Sequence, residues 1–146
     1  MMQRLDFSKA SPSAYKALLA VENTVRESGL EASLLELVKL RASQINGCGY
    51  CVDMHAADAR KAGESERRLY AVAVWRETPF FTARERAALA WAEALTRLSQ
   101  QPELEREYGA LKGQFSDKEM VDLTLAVIAI NSWNRMAIGF GVQPAA

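Results

Sequence analysis

The 146 residues include only two cysteines, one histidine and four prolines. A single histidine cannot build a His-rich metal centre. With no third cysteine, any bridge within one chain must join Cys48 to Cys51. Charge of one sign is also missing: Lys+Arg and Asp+Glu are each 18, a formal net charge of zero. A nucleic-acid or anionic-membrane binder carries a basic excess or stripe, so neither partner is expected. The longest strongly apolar stretch, near Leu123–Ile130, falls far short of the roughly 20 residues of a membrane span. The segment Met1–Lys16 has no continuous apolar region, so no secretory signal is expected. The expected location is the cytoplasm, where disulfides are mostly transient, catalytic or redox-sensing. Strand signals are lacking as well: no sustained alternation, no Asn-Gly hairpin between β-branched runs, no repeat and no linker.

What is present reads as helix. The length suits one domain over residues 1–146, and 49% hydrophobic with 25% charged residues is ordinary for a globular chain. Apolar residues recur at three- and four-residue steps in Ser13–Ser28, before Gly29, and in Leu34–Ile45, before Asn46-Gly47. Cys51–Ala62 ends at Gly63, Glu66–Trp75 is a short helix, and Pro102–Lys112 stops at Gly113. Thr82-Ala83-Arg84-Glu85 and Ser116-Asp117-Lys118-Glu119 have capping-box spacing and open helices to about Leu98 and Ile138. The pattern predicts an all-α, antiparallel bundle of six to seven helices. The last helix is apolar nearly all round, which places it at the bundle centre or in a subunit interface. Trp75, Trp91 and Trp133 read as core or interface residues.

The chemistry concentrates in residues 36–55. Cys48 and Cys51 stand three apart just after a helix-ending turn. At a helix start their Cα atoms would lie about 5 Å apart, inside the disulfide window. The free N–H groups and dipole there favour a thiolate, the reactive form. His55 follows Cys51 by four residues, one turn along the same face, where it can take or return a thiol proton. Glu36 lies on the preceding helix. If the two helices fold back about Asn46-Gly47, Glu36 lies about 15 Å and His55 about 12 Å from the turn at 1.5 Å per residue, so the two are roughly level. Nucleophile, base and orienting carboxylate could then meet. Other readings of the same residues stay open: Glu36 could pair with Lys39 or Arg41, and Cys48, Cys51 and His55 could be three zinc ligands, although a structural zinc site usually has four. A thioredoxin fold would need strands around the C-x-x-C pair, and the residues before Cys48 read as helix.

Glu36-x11-Cys48-x2-Cys51-x3-His55, embedded in LVKLRASQINGCGYCVDMH, resembles the AhpD-like alkylhydroperoxidase branch of the carboxymuconolactone decarboxylase superfamily. Asn131-Ser132-Trp133-Asn134-Arg135 resembles a C-terminal segment of its small members. The resemblance implies a helical homo-oligomer, trimeric or hexameric, that reduces organic hydroperoxides. It implies Cys51 as the attacking thiol, Cys48 as its resolving partner, and Glu36 with His55 as the proton relay. It implies no cofactor beyond an external dithiol reductant, such as a lipoylated or thioredoxin-like protein, and no motif for metal, flavin or haem is seen. The best-known members carry a second histidine just before the second cysteine, where this chain has Tyr50, a weak acid near neutral pH. The alternatives of another class are a redox-responsive oligomeric interaction module and a thiol–disulfide exchange protein.

Overall fold

Helix-stop and capping residues set where each element begins and ends. The structure, a computed structural model, describes residues 2–146. The elements are α1 (Phe7–Ala10), α2 (Pro12–Arg26), α3 (Ala32–Asn46), α4 (Gly49–Lys61), α5 (Glu66–Ala71), α6 (Ala83–Thr96), α7 (Leu104–Lys112) and α8 (Asp117–Phe140), with 3-10 turns at Val72–Glu77 and Leu98–Gln100. No strand occurs among the described residues. The all-α bundle is as expected. Its helix count exceeds the six to seven predicted because α1 is a four-residue turn too short to show a period; Asp6 caps it by accepting from Ser8 and Lys9 N–H.

Both capping boxes form, Thr82 with Glu85 and Ser116 with Glu119, and Ser11 caps α2 with Pro12 in its first turn. The helix expected over Glu66–Trp75 instead stops at Ala71 and tightens into the 3-10 turn, with Val74 at φ −127°. Two forces favour the break. Trp75 turns inward and is buried, and Arg86 takes up freed carbonyls by donating to Trp75 O and Thr78 O, both at 3.1 Å.

The central element is α3. Leu34, Leu35 and Val38 join one apolar cluster with Val25, Ala88, Leu111 and Leu123. Leu37 and Leu40 join a second with Val72, Trp75, Phe81 and Leu89. A helix that feeds two cores has little freedom to slide or rotate. By contrast, α8 buries Leu123, Ala126, Val127, Ala129 and Ile130 but leaves Val121 69% and Ile128 53% exposed. The last helix is therefore not the bundle centre. Helices α3 and α4 pack side by side, and α8 crosses both.

Between α3 and α4 the chain reverses at Gly47, which adopts φ 72°, a conformation costly for residues with a Cβ. Gly47 N–H donates to Gln44 O at 3.3 Å and Cys48 N–H to Ser43 O at 3.0 Å, closing the end of α3 and delivering Cys48 at the start of α4. At the far end of α8 the N-terminal segment returns: Arg4 N–H donates to Phe140 O at 2.7 Å, and the Arg4 guanidinium donates to Ile138 O and Gly139 O. A cation on the C-terminal carbonyls of a helix is favoured by its dipole. This contact brings Phe7 onto Phe140 and Tyr15.

Candidate active site

Cys48 is the N-cap residue of α4, and Cys51 stands in its first turn. Their Cα atoms are 5.3 Å apart and their sulfurs are joined in a disulfide. Cys51 N–H donates to Cys48 Sγ at 3.3 Å, so the helix end contributes a hydrogen bond as well as a dipole to the first sulfur. Both cysteines are almost fully buried, Cys48 1% and Cys51 2% exposed, and Ala137 of α8 packs against them with Val142.

Glu36 and His55 are level, as the hairpin arithmetic anticipated. His55 Nδ1 lies 3.0 Å from Glu36 Oε2. A carboxylate only accepts, so opposite an ionised Glu36 the ring donates from Nδ1, and in the neutral tautomer that this selects Nε2 carries the lone pair. His55 is buried and Glu36 half-buried. Lys39 and Arg41 do not compete for Glu36: Lys39 Nζ donates to Glu22 at 2.7 Å and Arg41 Nε to Glu93 at 2.7 Å.

A cavity of about 360 Å³ reaches this group, which is within the usual range of small-molecule sites. Cys51, His55 and Glu36 line it, together with the partly exposed Tyr50 and Met54. Cys48 is not part of the lining, although the two cysteines are equally buried. A second cavity, of about 320 Å³, lies against α6 and α7 among Arg76, Glu93, Arg97 and Arg106. It holds none of the sequence-selected residues and no nucleophile.

Several cavity residues were invisible to sequence spacing. Trp133, expected in a core or interface, instead forms part of the wall, with Tyr15 edge-on at 5.9 Å between ring centres. Glu22 and Lys39 form a buried ion pair in the same wall. Burial alone would raise the Glu22 carboxyl, but the hydrogen bond and charge of Lys39 outweigh it, with Arg26 adding to the effect, and hold it below the ordinary carboxylate value. Asn46 donates to Asn131 Oδ1 and to Asn134 Oδ1, both at 2.9 Å, and Asn134 donates to Ser43 Oγ at 3.0 Å. These amides tie the end of α3 to α8 immediately before the cysteine turn. The only hint of them was the Asn131–Arg135 segment.

Glu36, His55 and Asp58 bring three donor atoms within 4.8 Å of one another. A cation there would have two carboxylates and one imidazole, and the same contact that would hold it is the one that joins Glu36 to His55. The zinc set considered from sequence, Cys48, Cys51 and His55, is occupied differently, since both sulfurs are in the disulfide.

Residues 12–94 match the carboxymuconolactone decarboxylase family. The chain belongs to that family, in its AhpD-like branch. It is 36% identical over 145 residues to the uncharacterized protein YdfG of Bacillus subtilis, covering 99% of each chain. A crystal structure of a protein of unknown function from Agrobacterium tumefaciens, 45% identical, superposes with a TM-score of 0.93 over 99% of this chain and 100% of that one. Alkyl hydroperoxide reductase AhpD of Hyphomonas neptunium is 41% identical over 49 residues, which are 34% of this chain and 27% of that protein. No described helix of this AhpD-like chain is long and apolar enough to cross a membrane.

Proposed function

We propose that the chain is a thiol-dependent peroxidase that reduces organic hydroperoxides. The observation that carries the reading is one cavity lined by Cys51 together with the Glu36–His55 pair, with Cys48, which is not part of the lining, joined to Cys51 in a disulfide. In the reduced protein His55 takes the Cys51 proton and the thiolate attacks the distal oxygen of ROOH. The O–O bond breaks, Cys51 becomes a sulfenic acid, and the alkoxide leaves as ROH with a proton from His55, which Glu36 holds in place. The Cys48 thiolate, favoured by the helix end, displaces hydroxide from the sulfenic sulfur; water leaves and the disulfide forms. Two electrons have passed from the dithiol to the peroxide. An external dithiol then returns them by exchange. A lipoylated or thioredoxin-like protein has the right chemistry.

Val121 and Ile128, seven residues apart on the open face of α8, suit the homo-oligomer that the family resemblance suggests. The test is turnover of cumene hydroperoxide with a regenerating dithiol. The expected result is catalytic consumption that is lost in Cys51→Ser; equal consumption by parent and variant would overturn the reading.

A further inference from the structure

The walls of the dithiol cavity carry a charge pattern that bears on what can enter. Four carboxylates line it, from Asp6, Glu22, Glu36 and Asp58, against two cations, Arg26 and Lys39. Lys39 is committed to Glu22: its Nζ lies 2.7 Å from Glu22 Oε1 and its side chain is only 5% exposed. Arg26 Nε lies 3.7 Å from the same oxygen, with its side chain 68% exposed, so this cation sits at the solvent edge of the cavity and not inside it. Glu36 meets His55, Asp6 meets the outward Lys9 at 3.8 Å, and no described basic side chain forms an ion pair with Asp58. Carboxylates in the lining outnumber lysine and arginine side chains by two. The rest of the lining is mostly aromatic and apolar, with Gln3 and Ser8 as polar members: Phe7 and Tyr15 meet edge to face at 6.0 Å, Tyr15 and Trp133 at 5.9 Å, and Leu19 and Met54 add apolar surface.

Resting on the peroxidase reading, we infer that this cavity selects hydroperoxides with a compact aromatic or apolar body and no acid group, and turns away those of free fatty acids. Aromatic walls favour a ring through edge-on contacts beyond simple burial. A carboxylate inside this cavity meets Glu36 within it and Asp6 and Asp58 at its exposed edge, a repulsion that is strongest at low salt. It also loses hydration beside the apolar wall, where the one buried cation, Lys39, is already paired with Glu22. An acid should therefore bind about tenfold or more weakly than a neutral molecule of the same shape.

The test uses two near-isosteric probes on the disulfide form of the full chain, 2-phenylethanol and phenylacetate, followed by NMR through the Trp133 indole N–H. The alcohol should bind at least about tenfold more tightly than the acid, and Asp58→Asn should reduce that ratio several-fold. Phenylacetate binding as tightly as the alcohol, a ratio unchanged by Asp58→Asn, or no response to either probe would each overturn the inference. A kinetic arm compares the para-carboxylate of cumene hydroperoxide with its methyl ester, and the ester should have the higher kcat/KM. The outcomes separate the two readings. Selective binding of the alcohol without consumption of any hydroperoxide would sink the peroxidase proposal and support the ligand class. Consumption of acid and ester at equal rates would do the reverse.

Discussion

His55 Nδ1 and Glu36 Oε2 meet at 3.0 Å although the residues are nineteen positions apart and on different helices. The contact fixes the ring's orientation from one side and leaves its other nitrogen for proton exchange. Replacing Glu36 with Gln keeps the shape and removes the charge that favours an imidazolium during turnover. The expected result is a fall in kcat/KM for cumene hydroperoxide of about tenfold or more, read by peroxide consumption, with the far-UV spectrum unchanged. An unaltered rate would show that the carboxylate takes no part in proton transfer.

The roles proposed for the two sulfurs, with Cys51 on the cavity lining and Cys48 off it, separate the cysteine variants. Cys48→Ser should still react once with hydroperoxide and stop at a Cys51 sulfenic acid that dimedone traps, visible as a mass increase. Cys51→Ser should give no adduct. Trapping on Cys48 instead would reverse the assignment of roles.

Lys39 and Glu22 are both buried and 2.7 Å apart. Lys39→Met strands a carboxylate in the wall, at a cost of about 3–5 kcal/mol, whereas Lys39→Met with Glu22→Leu should recover most of the loss. The pH dependence follows from the sign of the shift. The Glu22 carboxyl is held below its ordinary 4.5. The ionised pair therefore contributes stability that is fully present above that value and is lost as pH falls through the depressed one. Urea midpoints of the parent between pH 7 and pH 3 should fall more steeply than those of the double variant. Parallel curves would remove the pair from the account.

Asn134 is wholly buried and bridges Asn46 and Ser43. Asn134→Ala leaves buried polar partners unmet, for an expected loss of about 1–3 kcal/mol measured by chemical denaturation. A neutral result would mean that the α3 terminus holds its place through Gly47 and packing alone.

The parts of this fold that sequence disclosed are those set by near neighbours. Capping boxes at Thr82 and Ser116, the Gly47 reversal and the position of Cys48 at a helix start all follow from residues within a few positions. The Glu36–His55 meeting was reachable because one tight turn and a fixed rise per residue bring the two helices level. Contacts across the chain were not reachable in that way. Lys39 could pair locally by spacing, yet it pairs with Glu22 on α2. Asn46 meets Asn131 and Asn134 across 85 and 88 positions. Trp133 reads as core until α1 and α2 are placed opposite it. The break after Ala71 goes with the inward turn of Trp75 and with Arg86, which reaches back eight and eleven positions to Thr78 O and Trp75 O, contacts that no helical period encodes.

The central claim is that one small cavity couples peroxide reduction to one dithiol. The most direct measurement is an anaerobic titration of fully reduced protein with cumene hydroperoxide, following peroxide, free thiol and protein mass together. The account predicts one peroxide consumed per chain, two thiols lost and a Cys48–Cys51 disulfide formed without added oxygen. Thiols that persist after the peroxide has been supplied in excess would contradict it.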